Sequence, residues 1–498
     1  MPTGHSLSRR SFIAGGLASC GAFAGARLLP AAGLGKSGGP NLRLGVISDI
    51  HVVRAERDGE GDDWWENDVP FRRALAWFAE EGVDAVVIAG DLADNGLASQ
   101  LRLIGEDWDR AFPNGLNARG RKVEKLFVYG NHDMAGVEVA RWRPEHANKS
   151  DAELRPLTIQ ADPKKAWEDA FHEEFKPIWT KKVNGYRFVG AHWMNNGNWP
   201  DGERFVDGLE DWYARRAKGV NPHLPLFHIQ HPIPKGTCYG PWAWGQDDGR
   251  ATRALSRFPN AIALSGHSHY PLSDERAVWQ GAFTSVSCGC LRYVSSPGSE
   301  FPGVGYENAN CGDGEVSAGR LMPSIDQADC RHGMLWSVYD DCIVMRRREF
   351  VSGLDLGPDW VLPLPAAEPK PFAFAARARR LGTPQFAPAA KLQVRETKAK
   401  RRGGDRKELD AVEVVIPATK SDARTRLYRY DVAVSPGGLV KHVMANGAKF
   451  PSGHPKTAET TSCVFAREEL PKGAVTITVT PCNCFGAGGR PISAEWKS

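Results

Sequence analysis

Beyond its first 36 residues the sequence lacks long hydrophobic runs, and none reaches the ~20 apolar residues that a membrane-spanning helix needs. It also lacks an excess of charge there. The formal net charge of the chain is +4, and the basic residues of positions 1–36, with no acid beside them, supply all of it. A neutral remainder does not present the basic field of a general nucleic-acid binder. We therefore expect neither a transmembrane span nor a nucleic-acid partner for residues 37–498.

Cysteine is sparse and lacks the spacing of a zinc site. The chain has ten cysteines, and nine of them lie beyond residue 36. Cys-x-Cys pairs occur at 288/290 and 482/484, but neither has a second pair at zinc-ligand spacing. We therefore expect disulfides or buried thiols rather than a thiolate metal site. Because nine is odd, at least one thiol is expected to be free or to pair between chains.

The sequence does have the composition of a globular protein, with 42% hydrophobic and 24% charged residues. Its 498 residues exceed the roughly 250–300 residues at which a single core stops growing. Two or three domains are therefore expected.

The N-terminus has a targeting pattern. An arginine pair at positions 9 and 10 precedes "SFI", an Ala/Gly-rich run follows, and small residues stand near position 31. This pattern resembles a twin-arginine export signal over residues 1–36, which predicts a periplasmic or secreted protein; a short helix of the folded domain is the alternative. The stretch "LASC" at 17–20 also resembles a lipoprotein box that would acylate Cys20. Apolar sequence continues beyond it, which is more typical of the middle of a signal.

Six apolar segments end in polar residues and have the pattern of buried strands. They occur at 41–51, 83–96, 125–134, 186–193, 224–232 and 260–270. Segments between them, such as 71–82 and 161–175, have the pattern of helices. Strands that are apolar on both faces and alternate with helices predict an α/β fold whose sheet is covered on both sides. Polar residues at the carboxyl ends of such strands converge on one crevice.

The pattern changes after residue 365. A Pro/Ala-rich stretch at 366–383 is typical of a linker, and short alternating runs with turn residues between them predict a small all-β sandwich at 384–498. Its last segment, "LPKGAVTITVTPCNCFGAGGRPIS", resembles the final strands of a fibronectin-type-III module. No catalytic set is visible in it, so we expect it to support the preceding domain or to bind a surface.

Five polar groups stand at the ends of the predicted strands. They are Asp49-x-His51, Gly90-Asp91, Gly130-Asn131-His132-Asp133, a histidine of "PLFHIQHPIPKG" (225–236), and Gly266-His267-Ser268-His269. Asp-x-His and His-x-His direct two side chains to one face of an extended segment, and the glycines allow close approach of the backbone. Imidazole, carboxylate and amide groups without thiolate suit Zn, Mn or Fe.

In this order, the five groups resemble the motifs of the calcineurin-like metallophosphoesterase superfamily, over residues 41 to about 365. The resemblance implies a four-layer α/β/β/α sandwich with two metal ions. One ion would be held by Asp49, His51 and His269, the other by Asn131, His267 and the histidine of 225–236, with Asp91 bridging them. It also implies that His132 stabilises or protonates the leaving oxygen while a hydroxide between the ions attacks phosphorus. The implied function is hydrolysis of phosphate monoesters or diesters.

Two histidines compete for the open ligand position. His228 and His231 leave a strand in opposite directions, because they are three residues apart. His231 stands at the end of the strand, which Pro232 would stop, whereas His228 lies inside the apolar run. We therefore predict His231 as the ligand, although the family's usual His-x-Pro spacing falls on Gln230.

Two departures from the family motifs make particular branches of the family less favoured. Asp94 stands where a purple acid phosphatase has a tyrosine ligand, and Asn131-His132-Asp133 differs from the Asn-His-Glu of 5′-nucleotidases. We expect Asp94 and Asp133 to cap turns rather than to orient histidines. The alternatives left open are a 5′-nucleotidase-like enzyme, a phosphodiesterase of phospholipids or sugar phosphates, and a non-catalytic metal-binding surface protein.

Two loops next to the predicted ligands are candidates for binding a small-molecule phosphate ester. They span 192–202 and 235–249, and their candidate substrate-binding residues are Asn195, Tyr239 and Trp242. The alternative is that the aromatic residues pack the loops against the domain. The sequence leaves the organic part of the substrate, the metal identities and the oligomeric state open.

Overall fold

The computed structural model describes residues 38–59, 67–194, 208–216, 219–295, 299–301, 304–308, 330–400, 407–419, 426–451 and 453–497. The predicted export signal and Asn195 lie outside these ranges. Within them, no helix is both long enough and apolar enough to cross a membrane.

The strands of the described residues are β1 (Leu42–Ile47), β2 (Ala85–Ala89), β3 (Glu124–Val128), β4 (Ile178–Val183), β5 (Tyr186–Ala191), β6 (Leu226–Ile229), β7 (Ala261–Ser265), β8 (Val278–Gln280), β9 (Thr284–Ser287), β10 (Ser299–Phe301), β11 (Val304–Gly305), β12 (His332–Val338), β13 (Cys342–Glu349), β14 (Leu354–Asp355), β15 (Trp360–Pro363), β16 (Gln393–Lys400), β17 (Glu408–Ile416), β18 (Arg429–Ser435), β19 (Leu439–Met444), β20 (Thr461–Ala466), β21 (Ala474–Cys482) and β22 (Ile492–Lys497). The α-helices are α1 (Val69–Glu81), α2 (Ala98–Ala111), α3 (Gly136–Ala140), α4 (Asp151–Leu154), α5 (Pro163–Phe171), α6 (Leu209–Arg216), α7 (Arg250–Leu255) and α8 (Phe374–Arg380).

Two mixed sheets hold the predicted apolar strands. The first has the strand order β14-β13-β12-β1-β2-β3, with β15 also pairing with β13, and the second has the order β4-β5-β6-β7-β9-β8. Strands β1 to β3 run parallel in the first sheet, and β5 to β7 run parallel in the second. The carboxyl ends of the parallel strands within each sheet therefore lie at one edge of that sheet.

Alternation along the strands divides the core into layers. One cluster lies between the sheets and includes Val46 of β1 and Phe227 of β6. The next residue of β1, Ile47, belongs to a second cluster, which also contains Phe78 of α1 and Leu255 of α7. Successive side chains of a strand point to opposite faces, so each sheet packs on the other sheet with one face and on helices with the other. The predicted four-layer α/β/β/α fold is confirmed.

The C-terminal residues form two antiparallel sheets, with orders β16-β17-β20 and β19-β18-β21-β22. Buried residues of both sheets, such as Val412 and Val432, pack in one core. The predicted all-β architecture is therefore confirmed, while its relationship to fibronectin type III and the domain boundaries stay predictions. The stretch predicted as a linker contains α8, whose Arg377 is buried and pairs with Glu275.

Buried thiols account for the described cysteines of the first two sheets and their loops. Cys238, Cys288, Cys290 and Cys342 are buried and lie outside any disulfide. The sequence left disulfides and buried thiols open for these residues, and in the structure they are buried thiols.

Candidate metal centre

The predicted ligands follow strands of both sheets. Asp49 and His51 come after β1, Asp91 after β2, and Asn131 and His132 after β3. His231 follows β6, while His267 and His269 follow β7. The structure brings all of these side chains into one cluster, in which every residue except His132 and His267 is buried.

Unusual backbone conformations occur at five of the predicted ligands. Asp49, His51, Asp91, His267 and His269 have φ between 49° and 70°, in the left-handed region that side chains other than glycine seldom adopt. Such conformations persist only when the surrounding structure imposes them, and they concentrate at functional sites. The backbone turns sharply at each position and presents the side chain to the cluster.

Two glycines allow the backbone to approach the cluster. A Cβ atom added at Gly130 would collide with the Asp91 carboxylate, and one added at Gly266 would collide with Ser48 and Asp49. The close approach predicted for these glycines is therefore present, and each position requires a residue without a side chain.

The first group of ligand atoms comes from Asp49, His51, Asp91 and His269. Nε2 of His269 lies 3.1 Å from Oδ1 of Asp49, and Nε2 of His51 lies 3.3 Å from Oδ2 of Asp91. The two Nε2 atoms are 3.2 Å apart. Two nitrogens and two carboxylates at these distances need positive charge at their centre, from protons or from a metal ion.

The second group shares Asp91 with the first and adds His231 and His267. Nε2 of His231 lies 3.1 Å from Oδ2 of Asp91 and 2.9 Å from Oδ1 of Asn131. The residues of each group are the ones that the family resemblance assigned to each metal ion. Their imidazole, carboxylate and amide atoms suit Zn, Mn or Fe, so the donor set fits a dimetal site.

His228 lies outside the cluster. Its Nδ1 is 2.8 Å from the hydroxyl of Tyr213, and its Nε2 is 2.7 Å from Oε1 of Gln230. Gln230 in turn donates to the carbonyl of Pro232 at 2.7 Å. His228 and Gln230 therefore belong to a buried hydrogen-bond network behind the strand, whereas His231 faces the cluster.

The outer ring nitrogens fix the orientation of the histidines. Nδ1 of His51 is 3.0 Å from Oδ1 of Asp94, and Nδ1 of His231 is 2.7 Å from the carbonyl of Ala89. Both partners are acceptors, so each Nδ1 carries a hydrogen and each Nε2 faces the cluster, where it is available to a metal ion once it is unprotonated. The expectation that Asp94 only caps a turn was wrong, because its carboxylate orients His51.

Asp133 does fasten turns, as predicted. Its carboxylate accepts hydrogen bonds from the backbone N–H groups of Leu92, Ala93 and Gly130, at 3.2, 2.8 and 2.8 Å. It therefore ties the segment that follows Asp91 to the segment that precedes Asn131.

His132 lies against the shared carboxylate. Its backbone N–H donates to Oδ1 of Asp91 at 2.9 Å, and its Nδ1 donates to the carbonyl of Asp94 at 2.7 Å. Its ring centroid is 4.5 Å from that of His51. These contacts fix the His132 ring beside the carboxylate that both ligand groups share.

Electrostatics in the cluster favour ionised carboxylates and a neutral His267. Burial raises the pKa of Asp91, but the charges of His231 and His132 outweigh burial and hold this pKa well below its ordinary value. Burial, with the charge of His231, lowers the pKa of His267 to about 3. Burial lowers the pKa of His51 and His231, but the Asp91 carboxylate outweighs burial and raises both, so a metal ion that binds here would displace protons from these two rings.

The two candidate substrate-binding residues that the structure describes, Tyr239 and Trp242, differ in their exposure to solvent. Tyr239 is buried, and its hydroxyl donates to the carbonyl of Tyr270 at 3.2 Å. For Tyr239 the structure therefore favours the alternative, because its ring packs the loop into the core. Trp242 is exposed, and its role stays a prediction.

Residues outside the predicted ligands and the three named substrate-binding candidates also contact the cluster. Sγ of Cys290 lies 3.3 Å from Nδ1 of His269, and the ring of Tyr293 is 4.2 Å from the His269 ring. The ring centroids of Trp244 and His267 are 4.6 Å apart, and those of Trp142 and His132 are 6.1 Å apart. The signal for Cys290 and Tyr293 was available, since "TSVSCGCLRY" (284–293) is another apolar strand that ends in polar residues.

A family model and several solved structures are similar to this chain. Residues 42–271 match the family model of the calcineurin-like phosphoesterases. Similar solved structures include a conserved uncharacterized protein of Streptococcus pneumoniae described as a predicted phosphoesterase (11% identity, 65% of this chain and 97% of that chain, TM-score 0.26), zinc-complexed Vps29 of Entamoeba histolytica (10%, 65% and 99%, 0.27) and vacuolar protein sorting 29 of Cryptosporidium parvum (10%, 64% and 96%, 0.29). A search of curated proteins gave no match.

Proposed function

Because the chain carries a calcineurin-like phosphoesterase domain, we propose that it is a metal-dependent hydrolase of phosphate monoesters or diesters. The observation that carries this proposal is the pair of ligand groups that share the Asp91 carboxylate. One ion would be held by Asp49, His51 and His269 and the other by Asn131, His231 and His267, with Asp91 common to both. Ions so bound would polarise the phosphoryl oxygens and supply hydroxide near neutral pH.

The residues around the cluster have complementary tasks in this proposal. Asp94 and the carbonyl of Ala89 orient His51 and His231, so that their Nε2 atoms face the site. His132 is held against Asp91 by its backbone N–H, and its Nδ1 donates to the carbonyl of Asp94. Nε2 of His132 would take up the proton released when water is converted to hydroxide and pass it to the leaving oxygen, which makes the alcohol a better leaving group.

The test combines metal analysis with turnover. The purified protein is expected to contain about two metal ions per chain and to hydrolyse an aryl phosphate monoester, an aryl diester or both. Asp91→Asn should lower kcat/KM by roughly a hundredfold or more, because it removes the carboxylate that both groups share. Asp109→Asn, an exposed carboxylate on α2, is the matched control and should leave kcat/KM unchanged. Bound metal without hydrolysis of any phosphate ester would contradict the enzyme and favour the non-catalytic surface protein.

The same assay compares the narrower substrate alternatives. A nucleoside 5′-monophosphate, a phospholipid diester and a sugar phosphate, tested beside the aryl esters, represent the alternatives that the sequence leaves open. A kcat/KM for one of them well above the aryl esters would assign the substrate class.

We also propose that the chain is exported by the twin-arginine route, which the pattern after Arg9 and Arg10 supports. The double variant Arg9→Lys, Arg10→Lys is expected to remain in the cytoplasm, while the unaltered chain reaches the periplasm or the medium. Equal distribution of the two in cell fractions would contradict this route. Incorporation of labelled fatty acid that is lost in Cys20→Ala would support the lipid anchor instead.

A further inference from the structure

Two tryptophans beside the candidate metal centre are exposed to an unusual degree. Trp142 is 59% exposed and Trp244 is 60% exposed, although large aromatic side chains are normally buried for most of their surface. Trp193, which also lies near the cluster, is 3% exposed. The exposed rings therefore contribute little to the core and are available to a bound molecule.

The two tryptophans stand at the two ends of a continuous row of contacts. At one end, the ring centroid of Trp142 is 6.1 Å from that of His132, and the His132 centroid is 4.5 Å from that of His51. At the other end, the ring centroid of Trp244 is 4.6 Å from that of His267, and the His267 centroid is 4.7 Å from that of His231. The Asp91 carboxylate joins the halves, because Nε2 of His51 and Nε2 of His231 are 3.3 and 3.1 Å from its Oδ2 atom.

The loop that carries Trp244 is firmly held. Asp247 accepts hydrogen bonds from the backbone N–H groups of Lys235, Gly249 and Ala251, at 2.9, 2.8 and 3.2 Å. The backbone N–H of Ile233 donates to the carbonyl next to Trp244 at 2.8 Å, which closes the loop at its base. Trp244 is therefore exposed on a pinned loop, at an interplanar angle of 32° to the His267 ring.

From this arrangement we propose that the substrate is a phosphodiester with a planar aromatic or heteroaromatic group on each side of phosphorus. The proposal rests on the proposed function. Trp142, on the side of His132, binds the arm that leaves, and Trp244 binds the arm that stays on phosphorus. Hydrolysis forms one P–O bond to the oxygen of water, breaks the P–O bond of the leaving arm and places a proton on that oxygen. The products are an alcohol or phenol and a phosphate monoester, which has lost its contact with Trp142.

The experiment uses three esters with the same leaving group. They are para-nitrophenyl phosphate, methyl para-nitrophenyl phosphate and bis(para-nitrophenyl) phosphate, which differ only in the second arm. Relative to the uncatalysed rates of the two diesters, and counted per leaving group, the metal-loaded protein should hydrolyse the bis-aryl ester with a kcat/KM roughly tenfold above that of the methyl ester, since one more aromatic contact forms. Trp244→Ala should abolish this ratio and Trp244→Phe should preserve most of it. Trp142→Ala should lower kcat/KM of both diesters by a similar factor, because both have the same leaving arm.

Binding provides a readout that is independent of turnover. Diphenyl phosphate should bind the metal-loaded protein roughly tenfold more tightly than dimethyl phosphate in calorimetry, and each Trp→Ala variant should reduce that difference. An unchanged bis-aryl to methyl ratio in Trp244→Ala, or a preference of the unaltered protein for the monoester over both diesters, would overturn the proposal. If no ester is hydrolysed, the proposed function fails, and the calorimetric difference alone decides whether the tryptophans bind two aromatic arms.

Discussion

The thiol of Cys290 is the hydrogen-bond partner of a predicted metal ligand. Its Sγ atom lies 3.3 Å from Nδ1 of His269, and Nε2 of the same ring lies 3.1 Å from Oδ1 of Asp49. The backbone N–H groups of Arg292 and Tyr293 also donate to this sulfur, at 3.2 and 3.4 Å. Nδ1 of His51 and Nδ1 of His231 donate to oxygen acceptors, which orient these two rings. Sulfur is a weaker acceptor than oxygen, so the orientation of His269 depends on a weaker hydrogen bond.

Replacing Cys290 should therefore weaken metal binding without removing a ligand. We expect Cys290→Ala to lower the affinity of the first group for a divalent ion by about 10- to 100-fold, as loss of an orienting partner does at other metal sites. Cys290→Ser retains an acceptor and should recover part of the affinity. The measurement is competition with a chelator, together with the visible absorption spectrum of the cobalt-loaded protein, which reports ligand geometry.

Cys288→Ala is the matched control for this prediction. Cys288 is equally buried and two residues away, and its backbone N–H donates to the carbonyl of Ser265 at 2.7 Å. It should cost stability but leave the metal affinity and the cobalt spectrum unchanged. An equal loss of affinity in both variants would show that core packing, not orientation of His269, is responsible.

The assignment of His231 predicts a contrast with its neighbour His228. His231→Ala should empty the second group, because Nε2 of His231 lies between Asp91 and Asn131. His228→Ala should retain both ions and instead lower the free energy of unfolding by about 1–3 kcal/mol, because it leaves the buried groups of Tyr213 and Gln230 without their partner. Metal content per chain and urea unfolding distinguish the two outcomes. Second-group metal retained in His231→Ala would move the assignment to His228 or Gln230.

Much of the fold and of the candidate site could be predicted because the signals are local in sequence. Apolar runs with polar ends placed Asp49 and His267 at strand ends, and the alternation of strands with helices predicted the layers. The proximity of Cys290 to His269 could not be predicted in this way, because it depends on how two strands pair. Tyr239 could be named only as a candidate for substrate binding, since sequence gives the loop but not the face of the loop that is buried.

Gly266, which precedes His267, should be required both for stability and for metal binding. In Gly266→Ala, the new Cβ atom would collide with the side chains of Ser48 and Asp49. We expect a loss of about 1–3 kcal/mol in the free energy of unfolding, typical of overpacking, together with weaker metal binding through displacement of Asp49. Gly59→Ala, where the added Cβ meets no atom within 4 Å, is the control for the change in backbone entropy. Urea unfolding and chelator competition measure the two effects, and equal behaviour of the two variants would contradict the prediction.

A buried histidine away from the metal ligands should make the domain sensitive to acid. His192 packs among Tyr129, Trp167 and Phe175, its Nδ1 accepts the backbone N–H of Tyr129 at 3.0 Å, and its Nε2 has no partner among the described residues. Burial lowers its pKa from 6.5 to about 3. In acid the unfolded chain therefore takes up a proton that the folded protein cannot accept, so stability is lost as the pH falls from about 6.5 toward 3.

His192→Asn tests this effect, because the Asn side-chain oxygen can still accept the N–H of Tyr129. Between about pH 7.5 and pH 5, the unaltered metal-depleted protein should lose about 2 kcal/mol more of its free energy of unfolding than the variant does. Urea titrations at the two pH values provide the comparison. Depletion of metal removes the pH dependence of metal binding, and protonation of the metal ligands affects both proteins equally. His223→Gln is the control, because His223 is exposed in the folded protein, and its pH dependence should match that of the unaltered chain. If His192→Asn loses as much stability in acid as the unaltered chain, burial of this imidazole is not what limits stability at low pH.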